Sequence, residues 1–261
     1  MVSNGVEKSF GEIGEKGTQA LLVTSIIISL ISHPLSSGMR RETRSLLIPL
    51  ERFLIMNIPN ILIGLPTNGF NDYRFTLSLA SLIIPENSTL MAIPRVMIDT
   101  ARNMFCEKLL TMPEKTHLLM IDDDMTFEPD MLLRMLDRDV DIIGALAFKR
   151  AGDFQPCVYK KRDDGNFYPT FPKEFKEVDA IGTGAILIKK EVIEKLKYPF
   201  FETGFDDEGQ HWSVDMDFSK KATKAGFKIW VDPQIECGHI GNSEVITKNS
   251  FIKYYNDNNK K

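Results

Sequence analysis

From Asn60 onward, short apolar runs alternate with amphipathic stretches of helix length, and this alternation limits the fold more than any other feature of the chain. Ile61-Leu62-Ile63 reads as a strand closed by Gly64-Leu65-Pro66-Thr67-Asn68-Gly69, residues 73–84 as a helix, and residues 89–93 as a second strand. A strand–helix–strand unit of this kind predicts parallel strands. Pro94 then opens a helix with Met97, Ile98, Ala101, Met104, Phe105 and Leu109 on its apolar face, leaving Asp99, Arg102 and Asn103 off it. His117 to Ile121 is a third strand, and Pro129 starts a helix with Met131, Leu132, Met135 and Leu136 inward. Strands are expected at residues 141–148, 157–160, 179–188 and 227–231, and helices at 190–197 and 215–225, with Gly226 in place as a helix-terminating glycine. The pattern predicts an α/β fold: a mostly parallel, Rossmann-like sheet flanked by helices.

A chain of 261 residues fits one large α/β domain with an appended segment. Lysine and arginine number 32 against 36 acidic residues, a net charge of -4 that excludes the electrostatic footprint of a general nucleic-acid binder. Cys106, Cys157 and Cys237 form no CxxC pair, so neither a disulfide framework nor a thiolate zinc cluster is expected. Residues 1–57 carry two apolar runs separated by His33-Pro34 and Arg40-Arg41, with Pro49 inside the second. The longest run, residues 20–31, holds Thr24, Ser25 and Ser29 and falls short of the roughly 17–25 apolar residues of a spanning helix. Its flank mixes Glu7, Glu12 and Glu15 with Lys8 and Lys16, a poor signal-peptide start. The expected organisation is a helical or disordered leader (1–57), a main domain (58–245) and a tail (246–261) that frays from residue 254. The expected location is cytoplasmic, with peripheral contact at the inner face of a membrane left open by the leader.

The chemistry concentrates where the third strand runs into Asp122-Asp123-Asp124. Carboxylates clustered at the carboxyl end of a buried strand sit where α/β sheets bind ligands, and their repulsion calls for a cation. Mg²⁺ or Mn²⁺ suits oxygen donors and bridges readily to a diphosphate. The bland alternative is that Asp122 and Asp124 only cap the turn. Asp215 and Asp217 open the predicted helix that ends at Gly226, where one could accept a proton from a hydroxyl or both could cap free amides. His239 stands between Gly238 and Ile240-Gly241 with room to approach a ligand, whereas His33, His117 and His211 have no metal-ligand spacing. Gly182-Thr183-Gly184 interrupts an apolar strand, a mark of close approach by backbone or ligand. Trp212, preceded by Phe200, Phe201 and Phe205, offers an aromatic face suited to a sugar ring or simply to a core.

In this order the elements resemble the GT-A glycosyltransferases of the family 2-like type found in bacteria and phages. The likeness spans residues 60–241 and rests on Gly64-Leu65-Pro66-Thr67, Ala101-Arg102-Asn103, Leu119 to Asp124 as a DxD motif, Gly182-Thr183-Gly184, Val214 to Phe218, and Gly238 to Gly241. The resemblance implies a metal-dependent transfer of sugar from a nucleotide-sugar donor to a hydroxyl of a glycan, lipid-linked or protein acceptor. It implies that Thr67, Arg102, Asp122 and Asp123 bind the donor, that Asp124, Asp122 and His239 hold Mn²⁺ or Mg²⁺, and that Asp215 is the general base of an inverting reaction. Gly182, Thr183, Gly184 and Trp212 would line the sugar and acceptor pocket. The sequence departs from the family's usual Glu-Asp pair, which here reads Val214-Asp215, and lacks an evident acidic residue after the second strand to read the base.

Two rival readings use the same residues. Asp122-Asp123-Asp124-Met125-Thr126 also fits the nucleophile motif of haloacid dehalogenase-like phosphatases, with Asp122 phosphorylated, Asp124 as acid/base and Asp206-Asp207 as a later acidic motif. That nucleophile usually ends the first strand, whereas here it ends the third. The other rival is a non-catalytic nucleotide-sugar or glycan-binding protein, with Val214 as its one argument.

Overall fold

The computed structural model describes residues 59–205, 209, 211–241 and 244–258, so the leader and Asp206-Asp207 lie outside the described residues. The chain divides between Ile58 and Pro59, and the described residues belong to the second unit. They begin with β1 (Ile61–Thr67), α1 (Tyr73–Ser81), β2 (Thr89–Pro94), α2 (Ile98–Leu110) and β3 (His117–Ile121). Next come β4 (Met125–Phe127), α3 (Met131–Asp137), β5 (Ile142–Leu146), β6 (Val158–Lys161), β7 (Phe167–Pro169), β8 (Lys176–Val178) and β9 (Ala180–Ile181). The remainder holds β10 (Ala185–Lys189), α4 (Lys190–Lys195), β11 (Gly204–Phe205), β12 (His211–Trp212), α5 (Val214–Lys224), β13 (Ile229–Ile240), β14 (Val245–Ile246) and α6 (Lys248–Asn258).

The main sheet runs β14-β13-β5-β10-β3-β1-β2, with β4 and β8 also paired to β13. Strands β2, β1, β3, β5 and β13 share one direction, and β10 runs against its neighbours β3 and β5. This is the α/β, mostly parallel sheet flanked by helices that the alternation predicts. Because strand side chains alternate faces, Leu62, Leu118, Met120 and Ile186 join Phe105, Val192 and Phe218 of α2, α4 and α5 on one side. Ile61, Ile63, Leu119 and Leu187 join Phe75 and Leu132 of α1 and α3 on the other. Both faces of the central strands are therefore buried, which explains their unbroken apolar runs. Among the described residues no helix is long and apolar enough to cross a membrane.

Several elements differ from expectation for identifiable reasons. Strand β1 continues through Gly64 and Pro66 to Thr67, because β2 pairs with it as far as Pro94 and Gly64 lies under the Phe105 ring, 2.7 Å from where a Cβ would stand. Strand β13 passes Pro233 and reaches Ile240, with the irregularity between Asp232 and Glu236 accommodating the missing amide. The expected strand 179–188 is cut into β9 and β10 by Gly182-Thr183-Gly184. Helix α2 turns Arg102 and Asn103 inward, where Asn103 accepts from the Phe200 and Phe201 amides and donates to the Phe201 carbonyl, while Met97, Ile98 and Met104 face outward. Of the stretch expected to fray, residues 254–258 belong to α6, which Phe251 anchors by stacking on Phe148 and Phe171 at 5.7 and 5.9 Å.

Candidate functional site

Three elements bring their ends to one edge of the sheet. Asp122 follows β3, Gly184 precedes the antiparallel β10, and the two meet because Ala185 is in register with Ile121. The Asp122 amide donates to the Gly184 carbonyl at 2.8 Å, and the Ile240 amide donates to the Asp124 carbonyl at 2.7 Å. The acidic run is thus tied by its backbone to both the glycine-flanked strand break and the end of β13.

The three carboxylates diverge to three sets of partners. Asp122 receives both its hydrogen bonds from Arg102, whose Nη2 lies 2.8 and 2.9 Å from its two oxygens and also reaches the Thr183 carbonyl at 3.3 Å. That guanidinium is only 3% exposed, and its Nη1 lies 3.5 Å from Asp215 Oδ1. The Thr183 hydroxyl donates a short hydrogen bond to the same Oδ1. Asp215, in the first turn of α5, keeps Oδ2 free of hydrogen bonds among the described residues, whereas Asp217 is turned to Lys221 at 2.6 Å. Desolvation pushes the Asp122 carboxyl up to about 6; Arg102 opposes this, and repulsion from Asp124 and Asp215 adds to it.

Asp123 accepts from the Asn68 amide at 3.1 Å and so pins the loop after β1, in which the Thr67 hydroxyl donates to Asn71 Oδ1 at 2.9 Å and accepts from the Gly69 amide at 3.1 Å. Asp124 faces the other way, toward β13 and the segment after β5. Its Oδ2 lies 2.7 Å from Arg150 Nη1 and 3.2 Å from His239 Nε2. His239 Nδ1 stands 2.8 Å from the Phe148 carbonyl, which can only accept, so Nδ1 carries a proton, and a second proton on Nε2 makes the ring an imidazolium that donates to the Asp124 carboxylate. Burial disfavours charge on both partners, but their hydrogen bond and mutual attraction outweigh it: Asp124 lies below, and His239 above, its ordinary range.

The residues named from sequence therefore fall into groups. Arg102, Asp122, Thr183 and Asp215 come together, as do Asp124 and His239, while Asp123 and Thr67 share the β1 loop. Gly184 leaves Asp122 Oδ2 3.7 Å from where a Cβ would stand, and Gly182 packs on Cys157. Trp212 lies in the β11–β12 hairpin with its ring over Gly204 and its buried Nε1 without a hydrogen-bond partner among the described residues. Arg102, which the resemblance places among the donor-binding residues, lies against the carboxylates of Asp122 and Asp215. Among the described residues no cluster of three or more histidine, cysteine, aspartate or glutamate side chains is arranged to hold a metal; Asp124 meets His239, while Asp122 is engaged by Arg102. Arg150 was not singled out by sequence; its only signal is a basic residue shortly past the carboxyl end of β5.

No protein-family model and no curated protein matches the chain. Among solved structures, A197 from STIV matches with a TM-score of 0.50 at 17% identity, over 73% of this chain and 91% of that one. At that identity the likeness establishes a shared fold. GalNAc-T7, solved with UDP, GalNAc and Mn²⁺, gives a TM-score of 0.46 at 12% identity over 98% of this chain and 59% of its own. S. aureus TarS 1-349 in complex with UDP-GlcNAc gives 0.45 at 13% identity over 71% and 59%.

Proposed function

We propose that this chain is a GT-A glycosyltransferase of the family 2-like type that moves a sugar from a nucleotide-sugar donor to an acceptor hydroxyl, with metal dependence and inversion at the anomeric carbon. The observation that carries the reading is the meeting of Asp215, from the start of α5, with Asp122, from the end of β3, on one buried guanidinium at the carboxyl edge of the sheet. Residues 58–245 are the catalytic unit in this reading, and its site of action is cytoplasmic.

In the proposed reaction Asp215 is the base. Thr183 and Arg102 hold its Oδ1, leaving Oδ2 to take the proton as the acceptor oxygen attacks the anomeric carbon. The donor's anomeric C–O bond breaks with inversion, and its electrons leave with the nucleoside diphosphate. Arg102 positions Asp122 and Asp215 relative to each other, and the Thr67–Asn71 loop, fixed through Asp123, faces the nucleotide. Gly182, Thr183, Gly184 and Trp212 border the acceptor, a glycan, lipid-linked or protein hydroxyl.

The donor set of Asp124 and His239 fits a divalent ion. A histidine that gives its Nδ1 proton to a backbone carbonyl is held in the orientation metal-ligating histidines use, with Nε2 directed at the ligand carboxylate. Mn²⁺ or Mg²⁺ bound there would neutralise charge developing on the leaving diphosphate.

The phosphatase reading asks Asp122 to present a free oxygen as nucleophile, yet Arg102 engages both. The deciding experiment is calorimetry against UDP-, GDP-, CMP- and dTDP-sugars with Mn²⁺, with Mg²⁺ and with chelator, followed by an acceptor assay. One donor should bind in a metal-dependent way. Asp124→Ala should abolish that binding, and Asp215→Asn should keep it while transfer falls at least about 100-fold. Unchanged transfer in Asp215→Asn removes the base; retained binding with no transfer or hydrolysis in the native chain favours a binding protein.

A further inference from the structure

We infer that Arg150 is an exchangeable cation, which holds Asp124 in the metal-free protein and turns to the donor's diphosphate once a divalent ion takes its place. The inference rests on the reading that Asp124 and His239 receive that ion.

The Arg150 guanidinium and the His239 ring meet on the same oxygen, Asp124 Oδ2. A divalent ion held by Asp124 and His239 would compete with the guanidinium for this one carboxylate oxygen, and two cations crowded on the same oxygen repel each other. Arg150 is free to leave. Its side chain is 59% exposed, and among the described residues it makes no other side-chain hydrogen bond or ion pair.

Its backbone, by contrast, is anchored. Phe148 bridges to Pro156, the Lys149 amide donates to the Gln155 carbonyl at 2.9 Å, and Phe154 packs edge-on against Tyr254 of α6. The exchange therefore needs only side-chain rotation, with no loop movement. A planar guanidinium matches two phosphate oxygens better than it matches one shared carboxylate oxygen, and the released fork starts beside the place where the ion would meet the diphosphate. Ion binding thus uncovers a second cation for the leaving group, so the ion should bind first and raise affinity for the nucleotide.

The test uses the full chain with Mn²⁺, UDP and GDP as probes. In Arg150→Ala, Mn²⁺ titrated without nucleotide should bind about three- to fivefold tighter, because its internal competitor is gone. With Mn²⁺ saturating, whichever of UDP or GDP the native chain binds should bind the variant about tenfold weaker. Mn²⁺ binding that is unchanged or weaker in the variant overturns the exchange, as does diphosphate binding within twofold of native. Asp124→Ala separates the two levels: if it leaves Mn²⁺ binding intact, the metal assignment itself fails, whereas lost binding there with no change in Arg150→Ala removes only the role of Arg150. A native chain that binds no Mn²⁺ overturns both.

Discussion

The two ends of the aspartate run are built differently although only one residue separates them. Asp122 meets an arginine that is 3% exposed, on a helix packed into the core, and shares it with Asp215 and the Thr183 carbonyl. Asp124 meets an arginine that is 59% exposed, on a turn after β5, together with an imidazole. One end is a fixed frame that sets distances between elements far apart in sequence, and the other is a place where cations can trade. A site that binds a charged ligand reversibly needs both, since geometry must persist while charge is exchanged.

The largest effect should come from setting the two arginines against each other. Arg102→Met leaves Asp122 and Asp215 facing one another without their buried cation, and should cost about 3–5 kcal/mol in urea denaturation. Arg150→Met removes an exposed partner and should cost at most about 1 kcal/mol. Equal losses would erase the distinction between frame and exchange site.

A second contrast, between two histidines, should be smaller and opposite in sign. Desolvation, aided by nearby Lys189 and opposed by Asp139, lowers His117 to about 4, so the folded state keeps it neutral while the unfolded chain protonates near 6.5. Stability is then complete above about 6.5 and erodes as pH falls toward 4, by up to about 3 kcal/mol. His239 is raised by Asp124 against the pull of desolvation, so its contribution is present below the ordinary histidine value and is lost as pH rises through its folded value. Urea midpoints measured across pH should show His117→Gln flattening the acid limb and His239→Gln the alkaline one. Loss of the acid limb in His239→Gln would show that the imidazole is not paired as described.

Much of the fixed frame was legible in sequence because it is local. The apolar run of β3 ends at Asp122, the glycines mark a strand break, and a helix starts at Asp215; each can be read without its partners. What could not be read was long-range. Periodicity placed Arg102 and Asn103 off the apolar face of α2, since a hydrophobicity pattern cannot anticipate that a buried guanidinium will be satisfied by carboxylates from β3 and α5. The first strand was expected to close before Pro66 and the last to end at Val231, yet pairing with the edge strand β2 carries one through Pro66 and a bulge carries the other past Pro233. Arg150 carries no motif at all, and only the packing of β13 beside β5 brings Asp124 and His239 to it.

The middle aspartate tests to which end the loop after β1 belongs. Asp123 contributes one exposed hydrogen bond, to the Asn68 amide, and that loop otherwise holds itself through the Thr67, Asn68 and Asn71 side chains. Such a bond is worth about 0.5–1.5 kcal/mol, and its loss should be felt locally because β1 below it is buried and paired on both sides. Asp123→Ala should therefore leave the urea midpoint nearly unchanged while hydrogen exchange at the Asn68 amide quickens about fivefold. Unaltered exchange would mean that the loop is held by its own side chains alone. A shifted midpoint would mean that the frame extends from Asp122 through Asp123 into β1, leaving Asp124 as the one exchangeable member of the run.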